Sequence, residues 1–116
     1  MDTRRKIVPP ESAPAGATVV TAYFDVLQSE DTRDLSVLPR PLIALILPLE
    51  NALLPQSARA ELAAGLRMID YVVLAGDGAA DAQVARLRPA QVVRLEAAQA
   101  RRSRELKEHV RNRQTR

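Results

Sequence analysis

The chain has 116 residues, enough for one domain, and 47% of them are hydrophobic, so a core of moderate size is within reach. That core must be aliphatic, because aromatic residues make up 3% of the chain and there is no tryptophan. With no cysteine, disulfides, thiolate catalysis and Cys-ligated zinc are excluded, and the single histidine, His109, lies in a polar tail where it gives a triad or metal site little to build on.

The net charge of +3 conceals a division. Arg4, Arg5 and Lys6 outweigh Asp2 at one end, and residues 94–116 carry eight basic groups against Glu96, Glu105 and Glu108. The stretch between them has six basic and ten acidic side chains, so the centre is acidic and the ends are basic. No apolar run approaches the roughly 18 to 20 residues needed to span a membrane. The longest, Pro41 to Leu49, is strand-sized, and the first residues lack an apolar stretch of signal-peptide length. A soluble cytoplasmic protein with no membrane partner is expected.

In chain order, residues 1–16 contain Pro9, Pro10 and Pro14, show no periodicity, and read as a flexible arm. Val19 to Phe24 is a near-continuous apolar run, the pattern of a strand covered on both faces. After Asp25 a short helix is predicted over about Ser29–Val37, with Ser29 or Asp31 as its cap, stopping before Pro39-Arg40-Pro41. Leu42 to Leu47 is a second buried strand. Pro55 opens a helix predicted over Gln56–Met68, in which Ala58, Leu62, Leu66 and Ile69 form the inward face while Arg59, Glu61 and Arg67 point elsewhere.

Tyr71 to Leu74 is the third strand, closed by Ala75-Gly76-Asp77-Gly78. A loop with two glycines could approach a phosphate, though a plain turn is the simpler reading. Asp81 to Leu87 is a helix with Val84 and Leu87 inward, ended by Pro89, and Gln91 to Leu95 is the fourth strand. From residue 96 to the end the chain is expected to be a basic helix that packs on the domain and frays, its thin stripe being Leu95, Ala98, Leu106 and Val110. Strands alternating with helices imply a single α/β domain over residues 17–95, with a Rossmann-like parallel sheet covered on both faces. Ligands of such folds bind outside the carboxyl ends of the strands, a rim that here includes Asp25, Gln28 and the 76–78 loop.

Three segments carry a family resemblance. Val19-Val20-Thr21-Ala22-Tyr23-Phe24-Asp25-Val26-Leu27, the stretch from Pro55 through Arg59 to Asp70-Tyr71-Val72-Val73, and Leu87-Arg88-Pro89-Ala90-Gln91 resemble the cytidylyltransferase-like nucleotidylyltransferases. Within that family the chain resembles the glycerol-3-phosphate cytidylyltransferases and the nucleotidylyltransferase domain of the ADP-heptose synthesis enzyme. Such enzymes move CMP or AMP from CTP or ATP to a sugar or polyol phosphate with Mg²⁺, using a His-x-Gly-His motif to meet charge developing on the transferred phosphoryl group.

The resemblance implies nucleotide-binding positions at Phe24, Asp25, Gln28, Asp31, Arg59, Arg102 and Ser103. The His-x-Gly-His positions are Gln28, Ser29, Glu30 and Asp31 here, so both histidines and the glycine are replaced. A carboxylate about 4 Å from a phosphate is repelled by roughly 4 kcal/mol at an intermediate dielectric. The family's Gly-Gly-Asp-like element is replaced by Arg94-Leu95-Glu96, and the threonines of its last helix are missing after Arg101-Arg102-Ser103. The scaffold motifs are kept and the phosphate-handling ones are changed.

The preferred reading is therefore a catalytically inactive nucleotidylyltransferase-like protein with no metal site, acting by binding or assembly as a homodimer or with an active paralogue. The alternative is a diverged nucleotidylyltransferase in which Gln28, Arg59 and Arg101 or Arg102 supply donors and Mg²⁺ bridges Asp31 to phosphate. A third reading is nucleic-acid or acidic-partner binding by the basic last helix. No aromatic is interleaved there and Glu105 and Glu108 dilute the field, so nucleic acid is not the expected partner.

Overall fold

A computed structural model describes residues 3–25, 29–50, 52–76 and 78–95, with only the backbone of residues 29–31. The described elements are β1 (Thr18–Ala22), α1 (Ser29–Ser36), β2 (Leu42–Ile46), α2 (Gln56–Ala64), β3 (Tyr71–Leu74), α3 (Ala80–Arg86) and β4 (Gln91–Arg94). All four strands are parallel, in the order β3-β2-β1-β4. This is the expected α/β Rossmann-like architecture. The expected helix from residue 96 lies outside the described residues.

The two central strands, β1 and β2, are buried at every position. Their alternate residues feed two apolar layers. Val20, Ala22, Leu42, Ala44 and Ile46 join Leu35 of α1 and Ala60, Ala63 and Ala64 of α2 on one face. Val19, Ile43 and Leu45 join Val84 and Leu87 of the α3 segment on the other. Burial of an aliphatic side chain contributes about 1.5–3 kcal/mol, so these layers supply the driving force that few aromatics could.

Helix α2 departs from the expected face. Its buried residues are Arg59, Ala60, Ala63 and Ala64, while Leu62 is 45% exposed and Ala58 only half-buried. Small alanines let a helix backbone sit close against a sheet, whereas the spacing argument favoured the larger leucine. The helix also stops at Ala64 instead of Met68, and the Gly65 N–H turns back to the carbonyls of Glu61 and Leu62. Ile69 is fully buried and Leu66 packs against the same layer, as expected of both.

Residues 3–16, read from sequence as an arm, have short 3₁₀ turns at Thr3–Lys6 and Pro10–Ser12, meet the β3 edge of the sheet at Ile7 and Val8, and end with the Gly16 N–H donating to the Arg88 carbonyl at 2.8 Å. Ile7 forms a parallel bridge with Val72, the Val8 N–H donates to the Val72 carbonyl at 2.9 Å, and Lys6 Nζ donates to the Leu66 carbonyl at 3.1 Å. Three prolines remove periodicity from this stretch, yet Ile7 and Val8 are enough to pair with an otherwise open edge. Among the described residues no helix is long and apolar enough to cross a membrane.

Candidate functional site at the carboxyl rim

The chain runs from β1 outward through β2 to β3, then returns across the sheet to β4 on the other side of β1. The switch point of this topology lies between the carboxyl ends of β1 and β4. Asp25 follows β1 and stands on that rim. The 76–78 loop follows β3, two strands away, which at the spacing of neighbouring strands is about 10 Å to the side. It is on the rim but not at the switch point.

Phe24 turns the chain out of β1. Its φ of 55° is left-handed, uncommon for an aromatic residue and costing about 1–3 kcal/mol. The residue is fully buried in the layer beneath α1 and α2, and that burial offsets the strain. Phe24 is thus a core anchor that aims Asp25 across the rim. Both carboxylate oxygens of Asp25 accept backbone N–H groups at 3.0 Å, Oδ2 from Leu53 and Oδ1 from Leu54.

Arg59 reaches the same place from the first turns of α2 and is 2% exposed. Its Nε donates to the Leu54 carbonyl at 3.2 Å, and one terminal nitrogen donates to the carbonyls of Tyr23 at 2.9 Å and Leu47 at 2.8 Å. Burial pushes the guanidinium below the ordinary arginine value, and the charge of Asp25 acts against that shift. Gln56 continues the pattern, its amide donating to Ile46 at 2.9 Å and Ala75 at 2.8 Å. A cleft of about 350 Å³ beside them is lined by Pro48, Leu49, Leu54, Pro55, Gln56 and Arg59.

The glycine loop is similarly occupied. Gln83 Oε1 accepts the Gly76 N–H at 2.7 Å, and its amide nitrogen donates to the carbonyls of Gly76 and Gly78 at 3.0 Å. The backbone donor that a phosphate would use at Gly76 already has a partner, and one side chain bridges Gly76 and Gly78.

Of the residues expected to meet a nucleotide, the structure brings together Phe24, Asp25 and Arg59. Gln28, Arg102, Ser103 and the side chain of Asp31 lie outside the described residues. The backbone of Asp31 falls within the first turn of α1, so the helix starts ahead of it and Asp31 is not its cap. Arg94, read from sequence only as part of the replaced Gly-Gly-Asp-like element, stands at the carboxyl end of β4 and so beside the switch point, where it pairs with Asp81 of α3 at 2.7 Å. The pairing with Asp81, 13 positions earlier in the chain, is what the sequence did not show.

The side chain of Asp31, on which the alternative reading places Mg²⁺, lies outside the described residues, and the described carboxylate at the end of β1 is Asp25. Two backbone N–H groups hold its two oxygens, which is the donor set of a structural carboxylate and does not suit an open metal ligand. Among the described residues no three His, Cys, Asp or Glu side chains gather in a way that could hold a metal ion. In comparisons with known proteins, the chain matches no family model and no curated sequence.

Proposed function

We propose that this chain is a nucleotidylyltransferase-like protein without catalytic activity, which works by binding or assembly, as a homodimer or with an active paralogue, in the cytoplasm. One observation carries the reading. Asp25 and Arg59, the two charged residues of the resemblance whose side chains are described, both hold the backbone of the loop at Leu54. Their retention is accounted for by folding alone, and no developing phosphoryl charge is needed to explain it. The replaced histidines at 28 and 31 agree with this, since the groups now there are an amide and a carboxylate.

The test is calorimetric titration with CTP and with ATP, each with Mg²⁺, followed by a turnover screen with sugar and polyol phosphates. The reading expects no saturable binding at the rim up to about millimolar nucleotide, and no pyrophosphate release. Turnover with any pair of substrates would overturn the absence of catalysis, and micromolar binding weakened by Asp25→Ala would overturn the account of Asp25 as a purely structural group. Sedimentation of the full chain then asks whether it self-associates.

A further inference from the structure

At the opposite end of the sheet lies a groove of about 740 Å³, larger than the rim cleft and within the range of small-molecule sites. Pro41 and Asp70 precede β2 and β3 and Tyr71 opens β3, so the groove sits at the amino ends of these strands. With β2 five residues long, it is about 16 Å from the rim. Its other walls are Arg5, Lys6 and Arg40.

Three cations therefore share this concavity with one carboxylate. Asp70 is already neutralised, since Arg40 donates to it through Nε, at 3.2 Å, and through one terminal nitrogen, and the Leu42 N–H reaches Oδ2 at 2.8 Å. That pair uses one terminal nitrogen of Arg40 and leaves the other outside it. Lys6 commits one of its three donors to the Leu66 carbonyl. Both cations are held before any ligand arrives, which lowers the entropy that binding would cost. Arg5 is exposed, while Pro41 and the half-buried Tyr71 provide an apolar floor.

We propose that this groove binds a phosphate monoester, with the dianion on Arg5, Lys6 and Arg40 and the organic body against Tyr71 and Pro41. An excess of two positive charges in one concavity matches a dianion better than a single carboxylate. A planar guanidinium beside a lysine ammonium is also a donor set suited to phosphoryl oxygens. The site is remote from the rim and independent of the reading proposed for it.

Phenyl phosphate is the probe, titrated into the ¹⁵N-labelled full chain at low salt. Saturable shifts at the amides of Lys6, Leu42 and Tyr71 are expected, absent with phenol. Arg5→Glu should weaken binding at least about tenfold, with an unchanged melting temperature because Arg5 is exposed, and Arg5→Lys should restore most of it. Three results would overturn the assignment: no saturation by about 10 mM ligand, equal affinity in Arg5→Glu, or shifts confined to Asp25, Leu53 and Leu54 at the rim.

Discussion

Asp25 and Arg59 hold opposite sides of one residue: the Asp25 carboxylate accepts the Leu54 N–H at 3.0 Å, and the Arg59 guanidinium donates to the Leu54 carbonyl at 3.2 Å. The loop between β2 and α2 is thereby fixed to the end of β1 by an anion from one side and a buried cation from the other. In the fold the two residues form a clamp on the chain itself.

The clamp makes a quantitative prediction. Asp25→Ala leaves two backbone donors without their partner and should cost about 1–3 kcal/mol. Arg59→Ala leaves three carbonyls short of a donor in a dry site and should cost about 2–4 kcal/mol. Arg59→Lys should recover little, because a lysine cannot reproduce the fork that meets three carbonyls. Because both act on Leu54, the double variant should lose about 1 kcal/mol less than the two singles together. Urea denaturation of the parent chain and the four variants measures this, and full additivity would show that the two residues do not act as a unit.

Asp70 predicts the acid limb of stability. The hydrogen bond from Arg40 is the main cause that holds its carboxyl below the usual carboxylate value, with help from the Leu42 N–H and the charges of Arg40 and Lys6, while burial acts against them. A carboxyl whose folded value is depressed stabilises the fold above its unfolded value, about 3.9, and loses that contribution as pH falls through the folded value. Between the two values the unfolded chain binds the extra proton, so stability must rise with pH there. Asp70→Asn should flatten the stability curve below about pH 4 and leave its shape above pH about 6 unchanged. Parallel slopes for the two proteins in the acid region would reject this role.

Much of the fold was legible because the strands are written in unbroken aliphatic runs. Leu42 to Ile46, buried at every position, and Tyr71 to Leu74 fall where their composition puts them. Helix α2 was harder, since Ala60, Ala63 and Ala64 carry too little hydrophobicity to outweigh Leu62, and a charged Arg59 reads as solvent-facing until a ring of strand-end carbonyls is placed around it. The rim position of Asp25 was legible, and so was a carboxylate that bonds backbone amides there, but which amides was not. Its partners are backbone N–H groups at Leu53 and Leu54, 28 and 29 positions along the chain, and a backbone donor leaves no trace in residue type.

The glycines separate into one that the backbone requires and others that it does not. Gly16 has a φ of +79°, so Gly16→Ala should cost about 1 kcal/mol through left-handed strain, although nothing lies within 4 Å of the added carbon. Gly78 has an ordinary φ and the nearest atom to an added carbon is Gln83 Nε2 at 3.7 Å, so Gly78→Ala should be nearly neutral. Gln83→Ala, in contrast, removes the three hydrogen bonds that tie Gln83 to Gly76 and Gly78. Thermal denaturation should rank the variants Gly78→Ala above both others, and a Gly78→Ala loss as large as that of Gly16→Ala would contradict the assignment.

The docked amino-terminal segment is open to the most direct measurement. If Ile7 and Val8 close the edge of β3, the Val8 amide is a ladder donor to Val72 and should exchange with solvent far more slowly than exposed amides such as Glu11. Ile7 also packs against the layer formed by Ala63, Ile69 and Val72, so Ile7→Lys should cost about 1–2 kcal/mol and speed exchange at Val8 together with Val72. Removal of the segment leaves a parallel edge strand without cover, an arrangement that promotes edge-to-edge pairing between copies. Hydrogen exchange followed residue by residue decides the matter: a Val8 amide that exchanges as fast as Glu11 would mean that the segment does not hold the edge, and the phosphate-ester groove it walls would lose Arg5 and Lys6 with it.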